Sequence, residues 1–168
     1  MSQVSTNNAN LANAAFMLGF FTIVGAWGFE LIGGFAPCEL CLAQRTPYYL
    51  GLPILAITIA FWQKMPDFVR LMLTLLVAVI FLWSVYLGAF HSGVEWKFWA
   101  GPSACTGSGE GLDFSALSNI NEAKVVPCDE PEFRFAGISF AGYNALISAL
   151  MVYLLLRSAL GQKKAMKA

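Results

Sequence analysis

The chain has 168 residues, 58% of them hydrophobic and 12% charged, where a soluble domain carries about 25% charged. That leaves too little polar surface to coat a water-soluble globule, so most of the chain must face lipid, and the length suits one domain. Net charge is zero and there is a single His; with no basic cluster in the folded part, nucleic-acid binding is excluded as a reading.

In chain order, residues 1–10 (MSQVSTNNAN) are polar without a charged side chain and read as a short disordered tail. The first apolar run covers about residues 11–32. At about 1.5 Å per residue it reaches roughly 33 Å, enough for a hydrocarbon core of about 30 Å. A cleavable signal peptide is the competing reading, since Gly34-Phe35-Ala36 has the small-x-small form of a cleavage site. A basic leader is missing, however, and the run is too long for a signal's apolar region.

The second expected span covers residues 47–62. Pro47 suits a helix first turn, and Pro53 inside the run is expected to kink it. The third and fourth spans, 71–90 and 139–156, carry one charge-free apolar run each, longer than a buried soluble helix sustains. Loops cover about 33–46 and 91–138. In the second loop Asp113 can cap a short helix with Phe114, Leu117 and Ile120 near one face, lying either in the membrane interface or as an ordinary loop helix. The expected fold is an all-α membrane protein, a four-transmembrane-helix bundle with two loops on one side, forming a single membrane domain over residues 1–168.

Four spans put both termini on one side. That side holds Lys64, Arg70, Arg157, Lys163, Lys164 and Lys167 against the single acid Asp67. The other holds Arg45, Lys97, Lys124 and Arg134, with the remaining acids. Basic residues beside span ends stay in the cytoplasm, so both termini are expected there and the loops outside. Trp27, Tyr48, Tyr49, Trp62, Tyr86, Trp96 and Trp99 fall near span ends, as an aromatic belt would.

All four cysteines then lie outside, in a bacterium the periplasm, where disulfides persist. Cys38 and Cys41 form a Cys-x-x-Cys opening into the second helix, where the positive end of the helix dipole favours a reactive thiolate. Cys105 and Cys128 close a Gly-rich loop (Thr106-Gly107-Ser108-Gly109). A disulfide so placed is open to an attacking thiolate. Two other readings stand beside this one: a four-thiolate zinc site, and two structural disulfides pinning loops. Arg45, one helical turn past Cys41, can hold Cys41 as thiolate and bind a quinone oxygen, or can snorkel to headgroups. His91, at the end of the third span, can donate to a quinone oxygen or relay a proton. Glu30 reads as an interfacial residue.

With these residues in place the chain resembles the DsbB family of bacterial inner-membrane disulfide oxidases. The resemblance rests on Pro37-Cys38-Glu39-Leu40-Cys41 with Arg45, on His91-Ser92-Gly93-Val94-Glu95-Trp96, on Pro127-Cys128-Asp129 and on Arg134-Phe135-Ala136-Gly137-Ile138-Ser139. It implies that Cys105–Cys128 is attacked at Cys105 by a DsbA-like periplasmic thiol oxidase and that Cys128 exchanges with Cys38. It further implies that Cys41 faces a membrane quinone (ubiquinone or menaquinone), with Arg45 and His91 as cofactor-binding residues and no metal. A DsbI-type oxidase with a dedicated partner, a structural tetraspan protein, and a thiol pathway running electrons outward are the rival readings.

Overall fold

The computed structural model describes residues 3–102, 127–131 and 133–167. Among these residues four long helices make up the fold: α1 Gln3–Leu31, α2 Glu39–Ala60, α3 Asp67–Glu95 and α4 Phe140–Ala165. Neighbours round the bundle run α1, α2, α3, α4 and back to α1. Between α3 and α4 a two-residue-strand hairpin pairs Arg134 with Ser139 and Phe135 with Ile138, a small β element not expected from the sequence. Its turn residues Ala136 and Gly137 both have positive φ, as a type I′ turn requires. Ser139 then caps α4, its hydroxyl accepting from the Gly142 N–H at 3.3 Å.

Among the described residues three helices are long and apolar enough to cross a membrane: Ser5–Leu31, Asp67–Glu95 and Phe140–Ala165, with mean hydropathies of 1.6, 2.4 and 1.5. The fourth helix, α2, falls short of them because its first turns carry Glu39, Gln44, Arg45 and Pro47. The outer surface is apolar; Phe21, Val79 and Leu82 point away from the protein, as lipid-facing side chains would. The core is built from Ala12, Ala15, Leu55, Val77, Phe81 and Met151. Small polar groups join the helices, among them Ser84 and Ser148 with oxygens 2.9 Å apart, and Gly88 brings α3 against α4 so closely that a Cβ there would lie 2.8 Å from the Ala145 nitrogen. Close backbone approach and buried hydroxyls are the usual adhesives of helices in lipid.

Several sequence expectations need correction. Residues 3–10 are helical rather than a disordered tail, because Asn8 is buried and its carbonyl accepts from the Ser158 hydroxyl at 2.8 Å. Three spans are longer than expected: α2 begins at Glu39 rather than residue 47, α3 runs on through Glu95, and α4 reaches Ala165. Tyr48 and Trp62 are buried rather than in an aromatic belt. The Tyr48 hydroxyl donates to Asn144 Oδ1 at 2.7 Å, and Trp62 lies under the Arg70 guanidinium, 5.0 Å from the ring centre. The expected short helix at Asp113–Ile120 lies outside the described residues. Contacts of Asn8 with Ser158 and of Arg70 with Gln162 place both termini and the α2–α3 turn at one end of the bundle.

Candidate functional site

At the opposite end, Cys38 sits in extended backbone as the N-cap of α2, its sulfur accepting from the Cys41 N–H at 3.2 Å. Pro37 before it and Glu39 in the first turn fit a helix start. The Sγ atoms of Cys38 and Cys41 are 2.7 Å apart and both cysteines are free; closing a disulfide, at about 2.05 Å, needs only a small approach. The thiol hydrogen bond from Cys41 holds Cys38 well below the ordinary thiol range, with help from His91 and against the effect of burial. The thiolate therefore belongs to Cys38. Arg45, expected to support Cys41 as thiolate, has its guanidinium ion-paired with Glu30 of α1. That pair also answers the snorkelling alternative, since the Arg45 side chain is only 13% exposed.

His91 is not at a helix end. It lies inside α3 and is 3% exposed. Its Nε2 is 3.8 Å from Cys38 Sγ, 3.2 Å from the Cys128 carbonyl oxygen and 3.8 Å from Glu95 Oε1. Its Nδ1 is 2.6 Å from Gln44 Nε2. Cys128 is buried and disulfide-bonded, and it forms a small cluster with Cys38 against which Leu40 and Cys41 pack. Next to it Asp129 is ion-paired with Lys97, which holds the Asp129 carboxyl below its usual range. Cys105 lies outside the described residues.

A cavity of about 380 Å³ adjoins these groups. Its walls combine apolar rings (Phe21, Phe29, Phe140) with Cys41, Arg45 and His91. The arrangement can do thiol chemistry at a buried, largely apolar surface: a stabilised thiolate, a second thiol within bonding reach, and a histidine set between Cys38 Sγ and the Cys128 carbonyl. Cys38, Cys41 and His91 also place ligand atoms within 4.8 Å of one another, a geometry open to a metal ion.

The sequence model of the family described as disulfide bond formation protein DsbB matches residues 8–157. The chain belongs to the DsbB family. It is also similar to an uncharacterized protein of Rickettsia prowazekii (strain Madrid E), 27% identical over 131 residues, covering 74% of this chain and 73% of that protein. No solved structure matches. As a member of the DsbB family with three long apolar helices, the chain is a multi-pass membrane protein of disulfide bond formation.

Gln44, Glu95 and Asn144 were not singled out from sequence, yet they complete the site. Gln44 follows Cys41 by three residues and Glu95 follows His91 by four, spacings that share a helix face. Residues 91–95 read as loop, so no helical face was drawn from His91 to Glu95; the turn from Cys41 to Arg45 was drawn, but Gln44 within it carries neither charge nor thiol to mark it.

Proposed function

We propose that this DsbB-family protein is a quinone-linked membrane disulfide oxidase that reoxidises a DsbA-like thioredoxin-fold dithiol protein in the periplasm. In this reading all four helices span the inner membrane, both termini are cytoplasmic and the cysteines face the periplasm. The supporting observation is the meeting of Cys38 and Cys128 at His91, beside an apolar cavity that also holds Cys41.

The donor's dithiol attacks Cys105–Cys128; the donor becomes a disulfide, and Cys105 and Cys128 become thiols. Those thiols then reduce the Cys38–Cys41 disulfide, Cys128 attacking Cys38, so that two electrons and two protons pass to the second pair. Reoxidation of Cys38 and Cys41 releases the same two electrons and two protons. A quinone fits the cavity: the rings of Phe29 and Phe140 suit its apolar body, while Arg45 and His91 offer donors to its oxygens. When bound, it supplies the two-electron, two-proton acceptor. Arg45, held by Glu30, orients that acceptor; Cys41 presents its thiol, and His91 Nε2 supports the Cys38 thiolate throughout.

Energetics favour a site of this kind. Soluble oxidases of the DsbA type have an established potential near −120 mV, whereas structural disulfides lie below about −300 mV. That gap of about 180 mV is roughly 8 kcal/mol uphill for an ordinary disulfide. Stabilising the Cys38 thiolate favours the reduced pair and makes its disulfide more oxidising.

The test is quinone reduction by purified protein with a reduced periplasmic dithiol protein as donor. Turnover that disappears in Cys38→Ser and in Cys41→Ser, with no mixed disulfide formed by Cys105→Ser, is the expected result. Near-normal turnover in either Cys38 or Cys41 variant would overturn the relay.

A further inference from the structure

Cys38, Cys41 and His91, with the unpartnered and buried Oε2 of Glu95 nearby, resemble the donor set of a zinc site. The position of one proton argues against that use. His91 Nδ1 faces the Gln44 side-chain amide at 2.6 Å. Which end of an amide faces a neighbour is decided by its other partners. Gln44 Nε2 also donates to the Leu40 carbonyl at 3.3 Å, and Gln44 Oε1 accepts from Asn144 Nδ2 at 2.7 Å. Asn144 Oδ1 accepts in turn from Tyr48, and its Nδ2 reaches Ser84 Oγ at 3.5 Å. Turning Gln44 over would set oxygen against the Leu40 oxygen and nitrogen against the Asn144 nitrogen. The amide is therefore locked with an N–H aimed at His91. Nδ1 must accept, and the ring proton resides on Nε2, the nitrogen that faces Cys38 Sγ, Glu95 Oε1 and the Cys128 carbonyl.

We propose that Gln44 is a positioning residue that holds His91 in the Nε2–H form, so that this proton supports the Cys38 thiolate and the lone pair a metal ion would need is withheld. A reduced dithiol beside a histidine is otherwise a ready trap for zinc, and a trapped dithiol cannot be reoxidised. The groups facing His91 are Gln44, Cys38 and Cys41 from α2, Glu95 from its own helix, and the Cys128 carbonyl. The inference deepens the oxidase reading, but its measurement needs no turnover.

The chain has one histidine, so nitrogen NMR of the ¹⁵N-labelled, reduced, full-length protein in lipid nanodiscs reads the tautomer without ambiguity. The expected result is Nε2–H in the native protein. Gln44→Glu, whose carboxylate accepts from Nδ1–H, should invert the tautomer and bind Zn²⁺ about tenfold or more tighter than the native reduced protein in a chelator competition. Native His91 found as Nδ1–H, or native protein holding Zn²⁺ as tightly as Gln44→Glu, would overturn the proposal. Should Gln44→Glu fail to fold, the native tautomer alone decides. An Nε2–H signal together with a failed quinone assay would strike the oxidase reading and leave this one standing.

Discussion

The thiolate on Cys38 depends first on the hydrogen bond from the Cys41 thiol, and replacing that donor isolates its contribution. Cys41→Ser keeps an O–H at the same place, whereas Cys41→Ala removes the donor and leaves the cap geometry, the helix dipole and His91 in place. Hydrogen bonds to charged groups contribute about 1.5–3 kcal/mol, and a thiol is a weak donor, so the lower figure applies. At about 1.36 kcal/mol per unit, Cys41→Ala should titrate Cys38 about one unit higher than Cys41→Ser. A lowered thiol pKa stabilises the reduced form at every pH above that value, and the advantage fades as pH falls through it. One such unit in the native pair therefore corresponds to roughly 30 mV of oxidising power at neutral pH. The assay is the ultraviolet absorbance of the Cys38 thiolate against pH, with the Cys128 disulfide left oxidised so that Cys38 is the one free thiol in either variant. Superimposed profiles for the two variants would refute the role given to the Cys41 thiol.

Arg45→Gln should raise the KM for quinone about tenfold, the effect of losing one charged hydrogen bond of about 1.5 kcal/mol; an unchanged KM leaves Arg45 as a tie to Glu30 alone. Gly88→Ala should lower stability by about 1–3 kcal/mol, because its Cβ meets the Ala145 backbone nitrogen at 2.8 Å. Gly19→Ala should cost less, since its Cβ meets only the movable ends of Met151 and Leu52; equal midpoints in denaturant unfolding would contradict the distinction. Lys97 keeps the Asp129 carboxyl ionised below its usual range, so their tie holds at neutral pH and is lost as pH falls through that lowered value. Lys97→Met should speed amide exchange at residues 128–130 at pH 7, and native protein should match it only in acid.

Helix number and the place of Cys38 and Cys41 at the start of the second helix were legible in the sequence because long charge-free runs and a Cys-x-x-Cys are local signals. The ends of the helices were not. Asn8, His91 and Glu95 are polar, and sequence hydropathy assigns polar residues to water; tertiary partners bring them inside instead, Ser158 for Asn8 and Gln44 for His91. The Arg45–Glu30 pair was hidden for a related reason, since it joins α1 to α2 across 15 positions and carries no local pattern. Tyr48 was read as an interfacial ring because it lies beside Tyr49. Only the bundle shows that it faces Asn144 while Tyr49 faces outward.

Cys38 is 6% exposed and Cys128 1%, so the junction between the two sulfur pairs is insulated. A small thiol dissolved in bulk water does not meet either of these two sulfurs directly, which slows a bystander reductant at that step. Current entering the proposed relay has one way onward, and the burial of two sulfur atoms acts as the sheath around the wire.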